Sequence, residues 1–133
     1  MKIEAQTLPK LQRARGRIGL GFISKNNLNC LSHLYQSGCL KALIPKNYST
    51  DPDVVLINTS GGITGEDKLQ IQAEVGQKAH VCITSQTAER VYKSSQGMGK
   101  IEVELNLNEN SKLDWIPQET ILFDKSAVQR SIK

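Results

Sequence analysis

Two carboxylates directly follow a glycine-rich segment, where they could serve as metal ligands. Glu66 and Asp67 come after Ser-Gly-Gly-Ile-Thr-Gly at residues 60–65. Ionised carboxylate oxygens are good ligands for divalent cations, whereas two negative charges would repel a phosphate group. The segment also lacks the Lys of a phosphate-binding loop and the glycine spacing of a dinucleotide site. It therefore predicts either a cation site or, more commonly for such sequences, a sharp connection between two strands.

A third carboxylate, Glu119, lies between apolar stretches at 115–117 and 121–123. Pro117 has no amide hydrogen to donate to a sheet ladder, so the segment predicts a strand, a corner and a second strand. A carboxylate at such a corner is either a buried functional group or an acceptor for backbone amides, and the sequence leaves both open. A hydrolase that uses two of the three carboxylates is the weakest hypothesis, because nothing fixes them at a working separation.

The cysteines and histidines form no recognisable catalytic or metal-binding pattern. Cys30, Cys39 and Cys82 are odd in number and lack Cys-x-x-Cys spacing, which argues against a disulfide framework and a structural zinc site. We expect reduced, mostly buried thiols. His33 and His80 are too far apart in sequence for a local metal pair and are expected to be structural. The nucleophile elbow Gly-x-Ser-x-Gly is absent, so nothing indicates an acyl-transfer enzyme.

Positive charge is concentrated at the amino terminus. The net charge of the 133 residues is +4, and residues 1–25 contain six Lys or Arg against one Glu. We predict a solvated basic arm over residues 1–17; the alternative is a nucleic-acid-binding β domain whose affinity falls steeply with salt. The sequence has no secretory signal and no apolar run of the roughly twenty residues that a membrane helix needs. We therefore expect a cytoplasmic protein without a membrane partner.

Alternating apolar and polar residues predict an all-β fold. Residues 68–75 and 79–83 alternate on either side of Gly76-Gln77, which is typical of a tight hairpin, and 100–107 and 112–115 repeat the arrangement. The two copies are offset by 32 residues. The repeat favours stacked, one-sided β layers, although two copies are too few to establish a solenoid. We predict mostly antiparallel hairpins in stacked or solenoid-like layers.

Weaker patterns complete the predicted architecture. We expect strands at 18–23, 27–35, 40–44 and 54–57, one short helix at 87–93 and a loop at 94–100. Residues 127–133 also have strand-forming sequence, without a closing turn. We therefore expect 1–133 to be a single β domain that lacks a downstream half, with an unpaired edge or apolar face over 120–133.

Three segments match, in order, sequence blocks of a known family. Residues 61–67 are similar to Gly-Gly-(Leu or Ile)-x-Gly-Gly-Asp, 84–93 to a Thr-rich segment ending in Tyr-Arg, and 115–123 to Trp-(Leu or Ile)-Pro-Gln-Glu-Thr-Ile-x-Phe. Together they resemble the urease accessory protein UreD family, called UreH in some systems. The family-motif residues are Gly61, Gly62, Gly65, Asp67, Tyr92, Trp115, Pro117, Gln118, Glu119 and Thr120. Glu66 departs from the pattern, because the family usually has a second glycine there. Family members run to roughly twice this length, so the chain resembles their amino-terminal half.

The resemblance implies an assembly factor for urease and not an enzyme. Proteins of this family are mostly β, bind the accessory protein UreF, and form a complex with the GTPase UreG on the urease apoprotein. They are expected to pass nickel toward the urease active site through an internal channel, so nickel would bind only transiently and no tightly bound cofactor or nucleic-acid partner is implied. Glu66, Asp67 and Glu119 are the candidate carboxylates on this path, since transfer requires weak, replaceable ligands.

Overall fold

The computed structural model describes residues 11–133, and within this range the chain forms eleven strands and no helix. The strands are β1 (Arg15–Lys25), β2 (Leu28–Gly38), β3 (Leu40–Leu43), β4 (Asp53–Asn58), β5 (Lys68–Val75), β6 (His80–Ser85), β7 (Glu89–Val91), β8 (Gly99–Leu107), β9 (Lys112–Ile116), β10 (Thr120–Leu122) and β11 (Val128–Ile132). The all-β prediction is confirmed. No helix long and apolar enough to cross a membrane occurs between residues 11 and 133.

The strands form three sheets around a common interior. Their strand orders are β11-β8-β5-β1-β2, β3-β4-β6-β9 and β10-β7. The chain visits the sheets in turn: β5, β6 and β7 make one coil, and β8, β9 and β10 make the next. Each strand of a coil therefore lies beside its counterpart in the following coil, as in a β-solenoid.

The 32-residue offset of the sequence repeat equals the offset between paired residues in two successive coils. Lys68 pairs with Lys100 and His80 pairs with Lys112, in parallel ladders. The predicted solenoid-like layers are thus confirmed, but the predicted hairpins are wrong, because Gly76-Gln77 and residues 108–111 carry the chain from one sheet to another. Side chains alternate with the same period in parallel and antiparallel strands, so the pattern could not reveal strand direction.

The predicted helix at 87–93 is instead a strand followed by coil. β7 pairs in parallel with β10, and Val91 also bridges to Ile63. Val91 is completely buried. A three-residue strand is too short to show alternation, and its pairing partners decide its conformation. The predicted loop at 94–100 is confirmed up to Gly99, where β8 begins.

Part of the predicted basic arm belongs to a sheet. Arg15 and Arg17 lie on β1, which pairs with β2 in antiparallel and with β5 in parallel fashion. Residues 1–10 of the predicted arm lie outside the described residues. β1 also bulges between Gly21 and Phe22, which bends the strand locally.

The hydrophobic core fills the space between the sheets. Alternate residues of β5 point inward, and Leu69, Ile71 and Val75 are at most 7% exposed. β1, β4, β6 and β8 contribute inward-facing residues in the same way, among them Ile18, Phe22, Val54, Ile83 and Val103. Each such side chain contributes about 1.5–3 kcal/mol when it leaves water.

We expect Ile83→Ala to lower the free energy of unfolding by about 2–5 kcal/mol, because the lost methylene groups leave a cavity in a closed interior. Ile83 lies on β6 and is completely buried. Urea unfolding followed by tryptophan fluorescence measures the change. Gln72→Ala, on the exposed face of β5, is the control, and an equal loss in both variants would contradict this assignment of the core.

The last coil leaves one side of three strands unpaired within residues 11–133. β11 and β9 end the two larger sheets, and β10 pairs only with β7. Ile116, Leu122 and Ile132 on these strands are 59%, 64% and 52% exposed. The predicted edge over 120–133 is therefore confirmed. An exposed, apolar strand edge is a template for pairing with another chain.

We expect Leu122→Lys to reduce self-association of the purified chain, since a charge on an edge strand opposes edge-to-edge pairing. Light scattering coupled to gel filtration measures the associated fraction. Tyr48→Lys removes another exposed apolar side chain, from a loop away from this edge, and should leave association unchanged. Equal effects of both substitutions would argue against pairing through this edge.

Candidate functional site

A side-chain network closes the glycine-rich turn after β4. The Asn58 side chain donates to the carbonyl of Gly62 over 3.2 Å and accepts from the amide and hydroxyl of Ser60 at 3.0 and 2.6 Å. Gly61 takes a positive φ of 79°, which glycine adopts without strain. The segment is thus the sharp connection that the sequence offered as its second interpretation.

The three family-like segments pack against one another. The amide of Ile63 donates to the carbonyl of Arg90, and the amide of Tyr92 donates back to Ile63, both over 2.8 Å. The amide of Phe123 donates to Val91 over 3.0 Å, and the Phe123 and Tyr92 rings lie 5.1 Å apart. Ile63 and its bridge partner Val91 are 28 positions apart, and the paired residues Glu89 and Thr120 are 31 positions apart. Segments that are distant in sequence therefore form one layered corner of the solenoid.

Glycine is required where these segments touch. A Cβ at Gly62 would overlap the Tyr92 ring, and a Cβ at Gly65 would overlap Ser94 and the carbonyl of Gln96. The motif glycines therefore permit close packing between the turn and the chain after β7. Their role in this packing is steric.

Asp67 acts as a structural acceptor. Its carboxylate is buried, and its two oxygens accept from the amides of Ala14 at 2.8 Å and Thr64 at 2.9 Å. The interaction ties the start of β1 to the turn before β5. Each oxygen thus already satisfies a backbone amide, and loss of the carboxylate would leave both amides without this partner, which costs about 1–3 kcal/mol for each buried group.

Glu66 lies on the surface in a left-handed conformation. Its φ is +66°, its amide donates to Met98 over 3.0 Å, and its carboxylate pairs with Arg13 at 3.2 Å. Its side chain is 48% exposed. The positive φ explains physically why glycine suits this position, as the resemblance indicated.

We expect Glu66→Gly to be more stable than Glu66→Ala by about 1 kcal/mol, because alanine keeps the left-handed strain and glycine does not. Both variants lose the ion pair with Arg13, so the difference between their free energies of unfolding reports the backbone strain at residue 66. Thermal and urea unfolding of the two variants measure it. Equal stability would mean that the backbone here is not held at positive φ.

Glu119 is exposed, so its interpretation as a buried carboxylate is wrong. Its carbonyl accepts from the amide of Glu89 at 2.9 Å, and the neighbouring Gln118 amide donates to the Ser85 hydroxyl over 2.8 Å. The corner is therefore held by hydrogen bonds between its backbone and Glu89 and Ser85, and the Glu119 side chain is exposed to solvent. No group of three His, Cys, Asp or Glu that could hold a metal occurs among residues 11–133.

The cysteines and histidines are also dispersed. Cys30 is exposed and Cys39 and Cys82 are half-buried, so the prediction of mostly buried thiols is wrong, while all three are free. Burial raises the pKa of Cys39, and the charge of Asp67 adds to the rise, whereas a hydrogen bond with Ser60 opposes it. Burial likewise raises the pKa of Cys82. Protonated thiols are poor metal ligands and nucleophiles at neutral pH.

A cavity of about 220 Å³ that is partly open to solvent lies between the sheets of the solenoid, beside the layered corner. Its floor is apolar and comes from the inward faces of the two larger sheets: Leu40, Leu56, Leu69, Ile71, Ile101, Val103 and Trp115. Its polar lining comes from the corners: Asn58, Ser85, Gln86, Thr87, Glu89, Arg90, Gln118, Thr120 and Arg130. At about 30 Å³ per water, the volume admits several water molecules or a small hydrated ion.

An ion pair spans this cavity lining. Arg130 of β11 donates to the Glu89 carboxylate of β7 and, over 3.2 Å, to the Thr120 hydroxyl of β10. The side chains of Arg130 and Glu89 are 36% and 28% exposed. No sequence pattern indicates this cluster, because the partners are 10 and 41 positions from Arg130.

Six of the ten family-motif residues line the cavity: Gly61, Gly62, Trp115, Pro117, Gln118 and Thr120. Of the other four, Gly65 and Tyr92 shape the adjacent corner, Asp67 fixes the turn, and Glu119 points to solvent. The motifs thus meet around the cavity, whereas the three candidate carboxylates occupy separate environments outside its lining.

Comparison with known proteins places this geometry in a family. The family model for the UreD urease accessory protein matches residues 14–133. The urease accessory protein UreD of Dinoroseobacter shibae is 43% identical over 123 residues, which cover 92% of this chain and 44% of that protein. UreD of Agrobacterium fabrum is 37% identical, with 98% and 46% covered, and UreD 1 of Brucella anthropi is 40% identical, with 91% and 43% covered. The chain spans about half the length of the curated relatives it matches.

Proposed function

Because the chain belongs to the UreD urease accessory protein family, we propose that it acts in urease maturation in the cytoplasm, as a scaffold that helps to conduct nickel to the enzyme. The observation that supports this most directly is the cavity lined by six family-motif residues. A family's distinctive residues gathered around an interior space favour a function of that space over one of the outer surface.

We assign the chain a binding role and no catalytic step. Asp67 has both oxygens occupied by amides, Glu66 pairs with Arg13, and Glu119 is exposed on a different corner. An acid and a base working on one substrate must lie within reach of it together. We therefore propose that the partner UreG, and not this chain, carries out GTP hydrolysis.

The proposed partners are UreF, UreG and the urease apoprotein. The free edges of β9, β10 and β11 support a scaffold role, because unpaired backbone amides and carbonyls can extend a sheet into another polypeptide. The exposed Ile116, Leu122 and Ile132 would add apolar contact area.

The cavity is the proposed route for nickel, with Glu89 in place of Asp67 as the carboxylate on the path. Glu89 shares the lining with the hydroxyls of Ser85 and Thr120 and the amide of Gln118. Glu89 also pairs with Arg130 in the same lining. A divalent cation would have to displace this guanidinium to reach the carboxylate, so the ion binds weakly and can move on. Glu66 and Glu119 lie outside the lining and are available only to an ion approaching over the surface.

We expect Glu89→Gln to reduce nickel-dependent urease activation about tenfold, since it removes the charged oxygen but keeps the side-chain shape. Urease activity is measured in cells that produce UreF, UreG and the urease apoprotein at limiting nickel. Glu109→Gln, on the exposed loop before β9, is the matched control and should leave activation unchanged.

Co-purification of UreF separates the two parts of the proposal. Glu89→Gln should retain UreF, so that the loss of activation arises from nickel transfer. Failure of the unaltered protein to bind UreF would overturn the scaffold role. Normal activation by Glu89→Gln would overturn the proposed route while leaving the scaffold role intact.

A further inference from the structure

Three cations stand in one row on the outer face of the largest sheet. Arg15 of β1 pairs with Lys68 of β5, and Lys68 pairs with Lys100 of β8. Their neighbours Leu69 and Ile101 point into the core, so the three charged side chains point outward. Adjacent strands are about 4.8 Å apart, and like charges directly opposite each other destabilise a sheet.

No carboxylate in residues 11–133 forms a salt bridge with Lys68 or Lys100. The ion pairs within this range join Arg13 to Glu66, Lys112 to Asp114 and Arg130 to Glu89. Arg15 donates to the backbone carbonyls of Ala14 and Glu66. The row continues to Gln129 of β11, a neutral residue. The repulsion along the row is therefore not offset within this part of the chain.

The row borders a groove of about 180 Å³ on the same face. Arg15, Arg17 and Lys68 line it together with Ser37 and Gln70, and no carboxylate contributes to its lining. Its floor is formed by the glycines at 16 and 38. The Arg17 guanidinium lies 5.8 Å from the centre of the Tyr35 ring, which holds this cation at the groove. The groove is thus formed before any ligand binds.

We propose that this basic groove, lined by Arg15, Arg17 and Lys68 and extended along the row by Lys100 of β8, binds an acidic helical segment of a partner protein. Carboxylates at positions i, i+4 and i+7 of a helix recur about every 5–6 Å along one face. This spacing is close to the roughly 4.8 Å between the strands that carry the row, so a helix crossing the strands would place one carboxylate near each cation.

A nucleic acid fits the groove less well. Further along β8, Glu102 and Glu104 lie on the same outward face as Lys100. Their carboxylates accept hydrogen bonds from the side chains of Gln70 and Gln72 at 3.0 and 3.5 Å. A phosphate backbone running along the strands would meet these carboxylates, and one running across them would find only the neutral Gln129 beyond Lys100. A short acidic segment needs no contact beyond the row. The proposal does not depend on the nickel route, since the groove is on the outer face and the cavity is inside.

The test uses fluorescence anisotropy with the 133-residue chain and an alanine-based helical peptide that carries Glu at i, i+4 and i+7. We expect the affinity for the peptide to decrease with added salt. In the double variant Lys68→Gln/Lys100→Gln the affinity should fall about tenfold, because two exposed ion pairs with the peptide are lost. Lys41→Gln/Lys93→Gln removes the same net charge from exposed positions elsewhere and should bind like the unaltered chain.

Other outcomes would overturn the proposal. These are an absence of peptide binding, equal weakening in both double variants, or tighter binding of a single-stranded oligonucleotide than of the peptide. Circular dichroism checks that each variant is folded; removal of like charges should raise the thermal midpoint of Lys68→Gln/Lys100→Gln. Arg17→Gln provides an independent variant of the same groove, which should also weaken peptide binding.

Discussion

The parallel register between successive coils is the constraint on which the rest of the molecule depends. β5 lies on β8, β6 on β9 and β7 on β10, and these ladders hold the three sheets around one interior. The same register brings the glycine turn beside the chain around Val91, which in turn contacts the segment before Phe123. It also aligns Lys68 with Lys100 on the outer face. The cavity and the basic groove are therefore two products of one stacking arrangement.

Much of the fold could be predicted from local pattern. Leu69, Ile71 and Val75 alternate with polar residues because one face of β5 is buried, and the structure buries that face. The 32-residue offset was visible because stacked strands place similar residues at equivalent positions. Strand direction was not visible, since the period of alternation is the same in both orientations. β7 was mistaken for a helix because its conformation depends on pairing with distant segments.

The candidate site was harder to predict, for a related physical reason. The presence of a carboxylate in the sequence suggests metal binding, but the groups that contact it in the folded chain decide its role. Asp67 is satisfied by two amides that no sequence pattern connects to it, and Glu119 is exposed at the corner between β9 and β10. Glu89 and Arg130 looked unremarkable in sequence because they meet only after the coil closes. The family-motif residues, by contrast, mostly meet in one place, because residues such as Gly62 and Trp115 line the same cavity.

The corners between strands give the fold a tolerance for changes in chain length. Gly99 of β8 pairs with Val128 of β11, 29 positions later, whereas β5 and β8 are 32 positions apart. The ladders stay in register because the corners absorb the difference. A residue inserted within β5 would turn every following side chain of that strand to the opposite face, whereas the same insertion at 108–111 would lengthen the turn between β8 and β9. Insertions and deletions in related sequences should therefore accumulate at the corners, and these are the places at which tags or probes can be introduced without disturbing the coils.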